Sequence, residues 1–311
     1  MVQSNQFAFF PAFNKKIMNT LRFFRTFLAV ARHGSYTEAG EHVGLTQAAV
    51  SFQMRALENE LGRKLFERSG RLAVLTAAGH ELVPEAIGLL DHYERLRGGR
   101  AADGRLAGAV SLGAIVSCMA TLSQVVSALK QQHRDLDVRV FSGKAEDLAH
   151  SVEAGELDAA LVVEPRHASA ALRWTPLYDE PLVVIAPASL PVRRARDAVA
   201  RSPFLRFDRN ELTGRLVEQT LHRLQWPVNE FLELNAIETL VELVRQEVGV
   251  TLLPKLNRAS WHADPALTLL PLPAQARNAA RAIGMIERMG HGRQDVTAAL
   301  LALCAQRFGG R

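Results

Sequence analysis

The chain has 311 residues, enough for about two domains with buried cores. Its formal net charge of +5 is compatible with a nucleic-acid partner but does not establish one. The two cysteines, Cys118 and Cys304, argue against a disulfide framework and have no metal-ligand spacing, so we expect them to be packing residues. The low number of cysteines points to a reducing compartment such as the cytoplasm. Nothing in the composition indicates a cofactor or a metal.

Residues 1–17 precede the first patterned segment of the chain. They carry no basic stretch before their apolar patch and no small-residue cleavage site after it, so a secretory signal is not predicted. We expect these residues to be a disordered extension or an over-long start assignment, with Met18 as the alternative start.

The stretch SYTEAGEHVGLTQAAVSFQMRALENEL predicts two short helices joined by a tight turn. Ser35 and Glu38 have the spacing of a capping box, and Gly44 suits the positive φ that ends a helix. Thr46 is placed to cap the second helix. One side of that helix is apolar, at Val50, Met54, Leu57 and Leu61.

The opposite side of the second helix carries short polar groups, one small apolar residue, one aromatic ring and one long cation. These residues are Gln47, Ala48, Ser51, Phe52 and Arg55. A helix that is only solvated would mix acids and bases freely, whereas this face suits a groove with a phosphate wall. The alternative is a solvated helical hairpin in another kind of α protein.

Two apolar segments follow, and they predict short strands at 64–67 and 72–75. Between them lies a tip of Arg68, Ser69, Gly70 and Arg71. A hairpin with two arginines at its tip is typical of a wing whose cations reach the sugar-phosphate backbone.

From about Asn19 to Gly79 the chain resembles the winged helix-turn-helix of LysR-type transcriptional regulators. The matching residues occur in a fixed order: Leu21, Phe24, Gly34, Ser35, Ala39, Leu45, Gln47, Ala48, Val50, Ser51, Gln53, Leu57, Glu58, Leu61, Gly62, Leu65, Phe66, Arg68, Arg71, Leu75, Thr76 and Gly79.

The resemblance implies a DNA-binding domain over residues 18–76 that recognises a pseudo-palindromic site in double-stranded DNA. The expected DNA-contacting residues are Ser35, Thr46, Gln47, Ala48, Ser51, Phe52, Arg55, Arg68 and Arg71. Phe52 stands where the family commonly has Arg or Lys. We therefore expect apolar contact with a thymine methyl group at Phe52 instead of a polar contact.

Residues 79–97 predict a helix with heptad-spaced residues at Leu82, Ala86, Leu89, Tyr93 and Leu96. The helix follows the DNA-reading segment and ends in a glycine-containing run at 98–104, which favours a seam between subunits. The alternative is that it packs on its own domain. Pro84 is expected to kink the helix near its start. The resemblance implies that this linker, residues 77–103, pairs subunits in a homodimer or homotetramer.

Leu106–Leu129 contains no charged residue and is long enough to span a bilayer. Its serines, Thr121, Gln124 and glycines instead predict a buried strand followed by a helix. Hence no membrane partner is expected.

Predicted strands and helices alternate from residue 104 onward, which favours a doubly wound α/β fold with helices on both faces of a parallel sheet. The first set has strands at 109–112, 137–141, 159–163 and 182–186, with helices at 119–132 and 146–154. The second has strands at 204–207, 231–234 and 250–253, with helices at 213–224 and 236–247. A strand at 282–287 then returns to the first set, and a helix at 296–308 closes the chain.

Two such halves, crossed twice by the chain, resemble periplasmic binding proteins, which is the architecture of the LysR-type effector domain. The resemblance implies an effector domain over 104–311, with lobe I at about 104–187 and 283–311 and lobe II at about 188–282. The segments GELDAALVV, LRWTPLYDEPLVVIAP and RQEVGVTLLP also look like the family.

The cleft between the lobes is the expected site for a small, anionic effector, because helix N-termini facing it offer N–H groups and positive dipole ends. Ser117 and Lys144 match positions that commonly touch the effector in the family. The other candidates lie in lobe II. Arg206, Arg209 and Asn210 end its first strand, and Asn235 and Thr239 flank a helix start. The alternative is that Ser117 and Asn235 are helix caps and that the arginines pair with neighbours such as Asp208.

No catalytic motif of the nucleophile-elbow, zinc-protease or phosphate-loop type occurs in the sequence, so an enzyme is not predicted. A stand-alone small-molecule binding protein is the second alternative, but that class predicts an export signal and no wing. We therefore expect a LysR-type transcription regulator, with DNA, an effector and RNA polymerase as its partners.

Overall fold

The computed structural model describes residues 10–69, 72–97, 105–166, 169–257 and 259–308. The chain divides into two compact units, the first formed mainly by residues 1–101 and the second by most of residues 102–311. Among the described helices, none has the length and apolar character that a bilayer crossing requires.

The first unit contains four helices and a two-stranded sheet among its described residues. In chain order these are α1 (Phe10–His33), α2 (Tyr36–Val43), α3 (Gln47–Leu61), β1 (Phe66–Ser69), β2 (Leu72–Leu75) and α4 (Ala77–Arg97). The strands are antiparallel, and Phe66 pairs with Leu75. This is the arrangement of a winged helix-turn-helix.

The predicted caps of α2 and α3 are confirmed. The Ser35 hydroxyl accepts a hydrogen bond from the Glu38 amide at 3.4 Å, and the Thr46 hydroxyl accepts one from the Ala49 amide at 3.2 Å. Gly44 ends α2 with φ 69°, which a residue without Cβ adopts at little cost. Local sequence therefore sets both ends of the turn between these helices.

The apolar side of α3 packs into the core of the first unit, where Val50, Met54 and Leu57 are at most 1% exposed. Leu61 differs from the expectation, because it is 36% exposed. It is the last residue of α3, where Gly62 turns the backbone into the left-handed region and the helix ends beyond the core.

Two further boundaries in this unit differ from expectation. Helix α1 begins at Phe10, so residues 10–17 are helical and not part of a disordered extension. Pro11 is compatible with this because a proline in the first helical turn loses no intrahelical hydrogen bond. Strand β1 begins at Phe66, two residues later than predicted.

The apolar residues of helix α4 fall into a buried group and an exposed group. Leu82 and Ala86 are buried in the core of the first unit, together with residues of α1 and α3. Farther along the same helix, Leu89 is 45% exposed and Leu96 is 75% exposed. Packing on its own domain therefore accounts for the first part of the helix only.

The second unit is built from two α/β lobes. Its first set is β3 (Gly108–Ala114), a 3₁₀ turn (Val116–Cys118), α5 (Met119–Gln132), β4 (Leu136–Ser142), α6 (Ala145–Glu153), β5 (Ala159–Val163) and β6 (Leu172–Pro187). Next come α7 (Ala195–Arg201), β7 (Pro203–Phe207), α8 (Leu212–Leu224), β8 (Asn229–Leu234), α9 (Ile237–Arg245) and β9 (Thr251–Pro254). The chain continues with a 3₁₀ turn (Ser260–Ala263), β10 (Leu267–Pro271), a 3₁₀ turn (Ala274–Ala276), β11 (Ala280–Arg288) and α10 (Gln294–Phe308).

Strands β6 and β11 connect the two lobes. The sheet order is β10-β6-β11-β5-β3-β4, with β9 also paired to β6, while β7 pairs in parallel with β8. Strand β3 is parallel to β4 and β5, whereas β11 is antiparallel to both β5 and β6. The α/β class was predicted correctly, but the lobe I sheet is mixed because the returning strand β11 runs against its neighbours.

Strand β6 is much longer than the predicted segment at 182–186. It has 16 residues, and its first half pairs with β11 while its second half pairs with β9 and β10. The first half alternates exposed and partly buried residues and contains Pro176, so it lacks the continuous apolar run of a buried strand. Helix α7 and strand β10 are short and were not predicted.

Candidate functional site

The outer face of α3 is a compact exposed surface. Gln47, Ala48 and Arg55 are exposed, Ser51 is half-buried, and the ring of Phe52 is 70% exposed. These residues lie opposite the buried side at Val50, Met54 and Leu57, so the 3.6-residue period places them together. The structure therefore brings the five predicted helix-face residues onto one surface. Ser35 and Thr46 serve as caps, and Arg71 and the side chain of Arg68 lie outside the described residues.

Two buried polar residues hold α3 in place. The Gln53 side-chain oxygen accepts a hydrogen bond of 2.6 Å from the Thr26 hydroxyl on α1. The Glu58 carboxylate accepts from the amides of Leu65 and Phe66, at 2.9 and 3.3 Å, and from the Lys64 ammonium at 3.0 Å. Glu58 thus connects α3 to the start of the wing. Both residues belong to the family resemblance, but the sequence alone did not indicate their roles.

The environment of Glu58 favours its charged form. Burial alone would raise the pKa of this carboxyl, but the Leu65 amide, the Lys64 ammonium and the Phe66 amide together bring it below the ordinary glutamate value. A depressed pKa in the folded state contributes stability above the unfolded-state pKa, and that contribution is lost as pH falls through the folded-state pKa.

We expect Glu58→Gln to destabilise the first unit by about 1–3 kcal/mol at pH 7, because the buried amides lose a charged acceptor. The loss should shrink as pH falls from the ordinary glutamate range through the lowered pKa of Glu58, because the wild-type carboxyl then becomes protonated as well. Urea denaturation at several pH values measures this. Glu41→Gln, at an exposed position of α2, is the control. An equal loss for both variants would contradict the role of Glu58.

The second candidate site lies where the two lobes of the second unit meet. Ser117 is in the 3₁₀ turn after β3, and its hydroxyl accepts a hydrogen bond of 2.8 Å from Nη2 of Arg281. Nη1 of Arg281 donates to the Thr213 hydroxyl at 3.1 Å. Thr213 is in the first turn of α8, so one guanidinium contacts a hydroxyl from each lobe.

The charge of Lys144, in lobe I, acts on the carboxyl of Glu211, in lobe II. Burial raises the pKa of the Glu211 carboxyl, the charge of Asp208 raises it further, and the cations of Lys144 and Arg281 act against both. Lys144 follows β4 in lobe I, and Glu211 precedes α8 in lobe II. Lys144 is exposed, and its charge and that of Arg281 both act on the Glu211 carboxyl.

The three candidates at the end of β7 make side-chain contacts within lobe II. Arg206 is buried and contacts the carboxylates of Glu218 and Glu230. Arg209 bonds to Glu230 at 2.6 Å and to Glu233 at 3.0 Å. Asn210 bonds through its side-chain amide to Asp208 at 3.0 Å. The alternative in which the arginines pair with neighbours describes their positions, although their partners are glutamates of α8 and β8 instead of Asp208.

Glu230 is a shared partner of Arg206 and Arg209. Burial opposes its charged form, but the guanidinium groups of Arg206 and Arg209 outweigh burial and lower the pKa of the Glu230 carboxyl. The two arginines are thus paired with glutamates of β8 and, for Arg206, also with a glutamate of α8. For this reason we leave Arg206, Arg209 and Asn210 out of the effector site proposed below.

The remaining candidates, Asn235 and Thr239, are exposed near the start of α9. The helix begins at Ile237, and its N-cap residue Ala236 makes no side-chain capping bond. Asn235 is therefore not the cap that the alternative assigned. The residues that join the lobes at the cleft, Thr213 and Arg281, were not predicted, although an arginine within the apolar strand at 280–288 is a signal that could have indicated one of them.

The two cysteines are buried thiols. Burial raises the pKa of Cys118 to about 11 and that of Cys304 to about 12, so both are protonated at neutral pH. This agrees with their predicted role in packing.

One group of potential metal ligands occurs among the described residues. His33, His42 and Glu156, all in the first unit, place a ligand atom each within 4.8 Å of the others. The Arg32 guanidinium contacts the same Glu156 carboxylate, and its charge opposes that of a metal cation. We assign no metal to this group.

A winged helix-turn-helix with an exposed polar recognition face, followed by a two-lobed α/β domain, defines the class of DNA-binding regulators controlled by a ligand. Residues 21–80 match the family model described as bacterial regulatory helix-turn-helix protein, lysR family. Residues 103–309 match the model described as LysR substrate binding domain. The chain therefore belongs to the LysR family of transcriptional regulators, and a stand-alone binding protein is not favoured.

Relatives along most of the chain agree with this assignment. The RuBisCO operon transcriptional regulator of Allochromatium vinosum is 30% identical over 244 residues, which cover 75% of this chain and 78% of the relative. A probable hydrogen peroxide-inducible genes activator of Mycobacterium leprae is 29% identical over 290 residues, 90% of this chain and 91% of the relative.

Solved structures share the fold. A full-length OxyR variant from Pseudomonas aeruginosa is 23% identical, with a TM-score of 0.66, over 92% of this chain and 94% of its own. Full-length BenM is 21% identical, with a TM-score of 0.55, over 93% of this chain and 96% of its own. At these identities, the likeness concerns the fold alone.

Proposed function

We propose that this regulator binds a pseudo-palindromic promoter site through α3 and the wing, and that a small anionic effector bound between its lobes changes how it holds that DNA. The observation that carries the DNA-reading half is the exposed face of α3, which is polar and aromatic, bears one cation, and is held against α1 and the wing by Gln53 and Glu58. Two such helices in a dimer would meet successive major grooves about 34–36 Å apart.

The direct test is whether the purified protein retards DNA from beside its own gene, with a scrambled fragment of equal length as the control. Footprinting should then give two protected half-sites separated by about one helical turn. A single asymmetric half-site occupied by a monomer would contradict the dimeric arrangement.

The effector half of the proposal is supported by polar groups where the lobes meet. Lys144 is exposed, and the hydroxyls of Ser117 and Thr213 come from opposite lobes and bond to one guanidinium, that of Arg281. An exposed cation near the meeting point of two lobes suits a small molecule with a carboxylate or a similar oxyanion. A ligand that prefers one arrangement of the lobes shifts their population by no more than its differential affinity. We expect the effector to alter DNA bending more than DNA affinity.

Lys144→Ala is expected to weaken binding of an inducing acid about fivefold to tenfold, because an exposed ammonium attracts an anion through water and is partly screened. Calorimetry on the full-length protein with candidate acids measures this, and Lys255→Ala, at an exposed lysine after β9, is the control. Equal affinity of wild type and Lys144→Ala for a confirmed inducer would place the site elsewhere.

Assembly is proposed to use the second part of α4 and the edges of the lobes. Leu89 and Leu96 are exposed on α4, which supports a helix seam between subunits. Phe141 on β4 and Phe231 on β8 are exposed aromatic residues on edge strands of the two lobe sheets. Exposed strand edges with large apolar side chains suit contact with a second subunit. We therefore propose that the protein assembles as a dimer or tetramer. Because its targets are promoters, we place its action in the cytoplasm and expect contact with RNA polymerase.

A further inference from the structure

A buried ion pair joins the two strands that connect the lobes. Arg281 on β11 is directly opposite Glu180 on β6, and Nε of Arg281 donates to the Glu180 carboxylate at 2.6 Å. Arg281 is 4% exposed and Glu180 is 1% exposed. The second carboxylate oxygen accepts from the Asn257 amide of lobe II at 2.7 Å. Separating this pair would leave a buried charge without a partner, so lobe motions that break it are strongly disfavoured.

The other two nitrogens of the same guanidinium bond to one hydroxyl from each lobe. Nη2 of Arg281 donates to Ser117 of lobe I at 2.8 Å, and Nη1 donates to Thr213 of lobe II at 3.1 Å. Both hydroxyls are neutral acceptors, and water can take the place of a neutral acceptor once it reaches the guanidinium. We call Ser117, Arg281 and Thr213 the interlobe clamp. Its two hydroxyl bonds cost less to break than the ion pair with Glu180.

The surroundings of both hydroxyls keep them next to the guanidinium. The Ser117 hydroxyl also bonds to the Cys118 thiol, and the Cys118 sulfur lies 3.8 Å from the Tyr178 hydroxyl on β6. On the other side, Leu212 begins α8 directly before Thr213 and packs against the hydrophobic core of lobe I. The lobes therefore meet here through apolar packing and through hydrogen bonds to one side chain.

We infer that the interlobe clamp holds the two lobes in the closure seen in the structure, and that the lobes part by breaking its two hydroxyl bonds while Arg281 stays paired with Glu180. A ligand or partner that favours a wider angle between the lobes must supply the free energy of those two bonds. The strength of the clamp therefore sets how much of the open arrangement is populated. The inference concerns contacts within the effector domain and requires no particular effector.

The test removes one hydroxyl at a time and measures backbone amide exchange of the full-length protein by mass spectrometry, with no ligand added. Ser117→Ala and Thr213→Val leave the ion pair with Glu180 intact. Each, however, leaves a nitrogen of a buried guanidinium without an acceptor until water enters between the lobes. Each variant should therefore raise exchange about tenfold both in residues 115–122 of lobe I and in residues 211–217 of lobe II. Thr213→Ser keeps the hydroxyl and should exchange within about twofold of wild type.

Two matched controls remove a hydroxyl whose bond lies within a single lobe. The Ser123 hydroxyl donates to the Ala120 carbonyl in α5 at 2.9 Å, and the Thr220 hydroxyl donates to the Leu216 carbonyl in α8 at 2.7 Å. Because neither bond crosses between the lobes, Ser123→Ala should leave exchange in lobe II at the wild-type level, and Thr220→Val should leave exchange in lobe I at that level.

A third control separates the clamp from the pairing of the connecting strands. Arg173 on β6 bonds to Glu287 on β11 through Nε at 3.1 Å and Nη2 at 2.6 Å. This ion pair joins the same two strands as Arg281 and Glu180. Arg173→Lys should leave exchange in residues 115–122 and 211–217 unchanged, because loosening the strand pair alone does not release the clamp hydroxyls.

Exchange that rises only in the lobe carrying the substitution would overturn the inference, and so would a rise in lobe I as large for Thr220→Val as for Thr213→Val. If Thr213→Val does not fold, Ser117→Ala decides through the exchange of residues 211–217. Bending of a promoter fragment is measured on the same preparations. Faster exchange in both lobes without altered bending would support the clamp and contradict the proposed link between lobe closure and DNA. Altered bending without faster exchange in both lobes would overturn the clamp and leave that link in place.

Discussion

Replacing Leu89 and Leu96 together with aspartate is expected to dissociate the protein into smaller species and to weaken its binding to promoter DNA. Both leucines are exposed on α4 at heptad spacing, at 45% and 75%, and so are available to a second subunit. Burial of a leucine side chain contributes about 1.5–3 kcal/mol, and a carboxylate in an apolar seam adds a desolvation cost. The dissociation constant should therefore rise more than a hundredfold, which sedimentation measures.

The same helix supplies the reason for choosing these two positions. Leu82 and Ala86 belong to the core of the first unit, so changing them would unfold the DNA-binding domain instead of separating subunits. Met289→Asp is the matched control, since it places a charge at an exposed apolar position outside α4. An unchanged mass for the double variant, with normal circular dichroism, would mean that α4 packs only on its own domain.

Local signals account for the parts that were predicted correctly from sequence. The caps at Ser35 and Thr46 and the positive φ at Gly44 depend on residues within four positions of each other. The buried and exposed sides of α3 follow from a single helical period. These features need no knowledge of the rest of the chain, so the recognition helix could be oriented before the structure was known.

Contacts between distant residues account for what was not predicted. Arg281 contacts Ser117 although 164 positions separate them in the sequence, and no local sequence pattern predicts this contact. Arg206 and Arg209 were expected at the cleft because they lie at a strand end, but their partner Glu230, on a neighbouring strand, is 24 and 21 positions away. The electrostatic partner of a charged residue is decided by the register of the sheet. The end of a strand indicates an edge of the sheet. It does not indicate which side chains at that edge are free to bind a ligand.

The exposed face of α3 leads to a prediction that separates sequence reading from phosphate contact. Gln47 is exposed at the start of α3, and a glutamine side chain can bond to adenine through both its oxygen and its nitrogen. Gln47→Ala should therefore cost about 1–3 kcal/mol on the preferred site and relax base preference at one position. Arg55, exposed two turns later, is expected to contact phosphate, so Arg55→Ala should weaken all sequences alike and reduce the salt slope by about 1.

Fluorescence anisotropy on a set of single-base operator variants, at several salt concentrations, distinguishes these two effects. Gln219→Ala and Arg223→Ala are the matched controls, because they change the same residue types at exposed positions of α8 in the effector domain. Both controls should keep wild-type affinity, base preference and salt slope. If Gln47→Ala and Arg55→Ala lost base preference equally, or if Gln47→Ala altered only the salt slope, then α3 would not divide base reading from phosphate contact as its exposed face suggests.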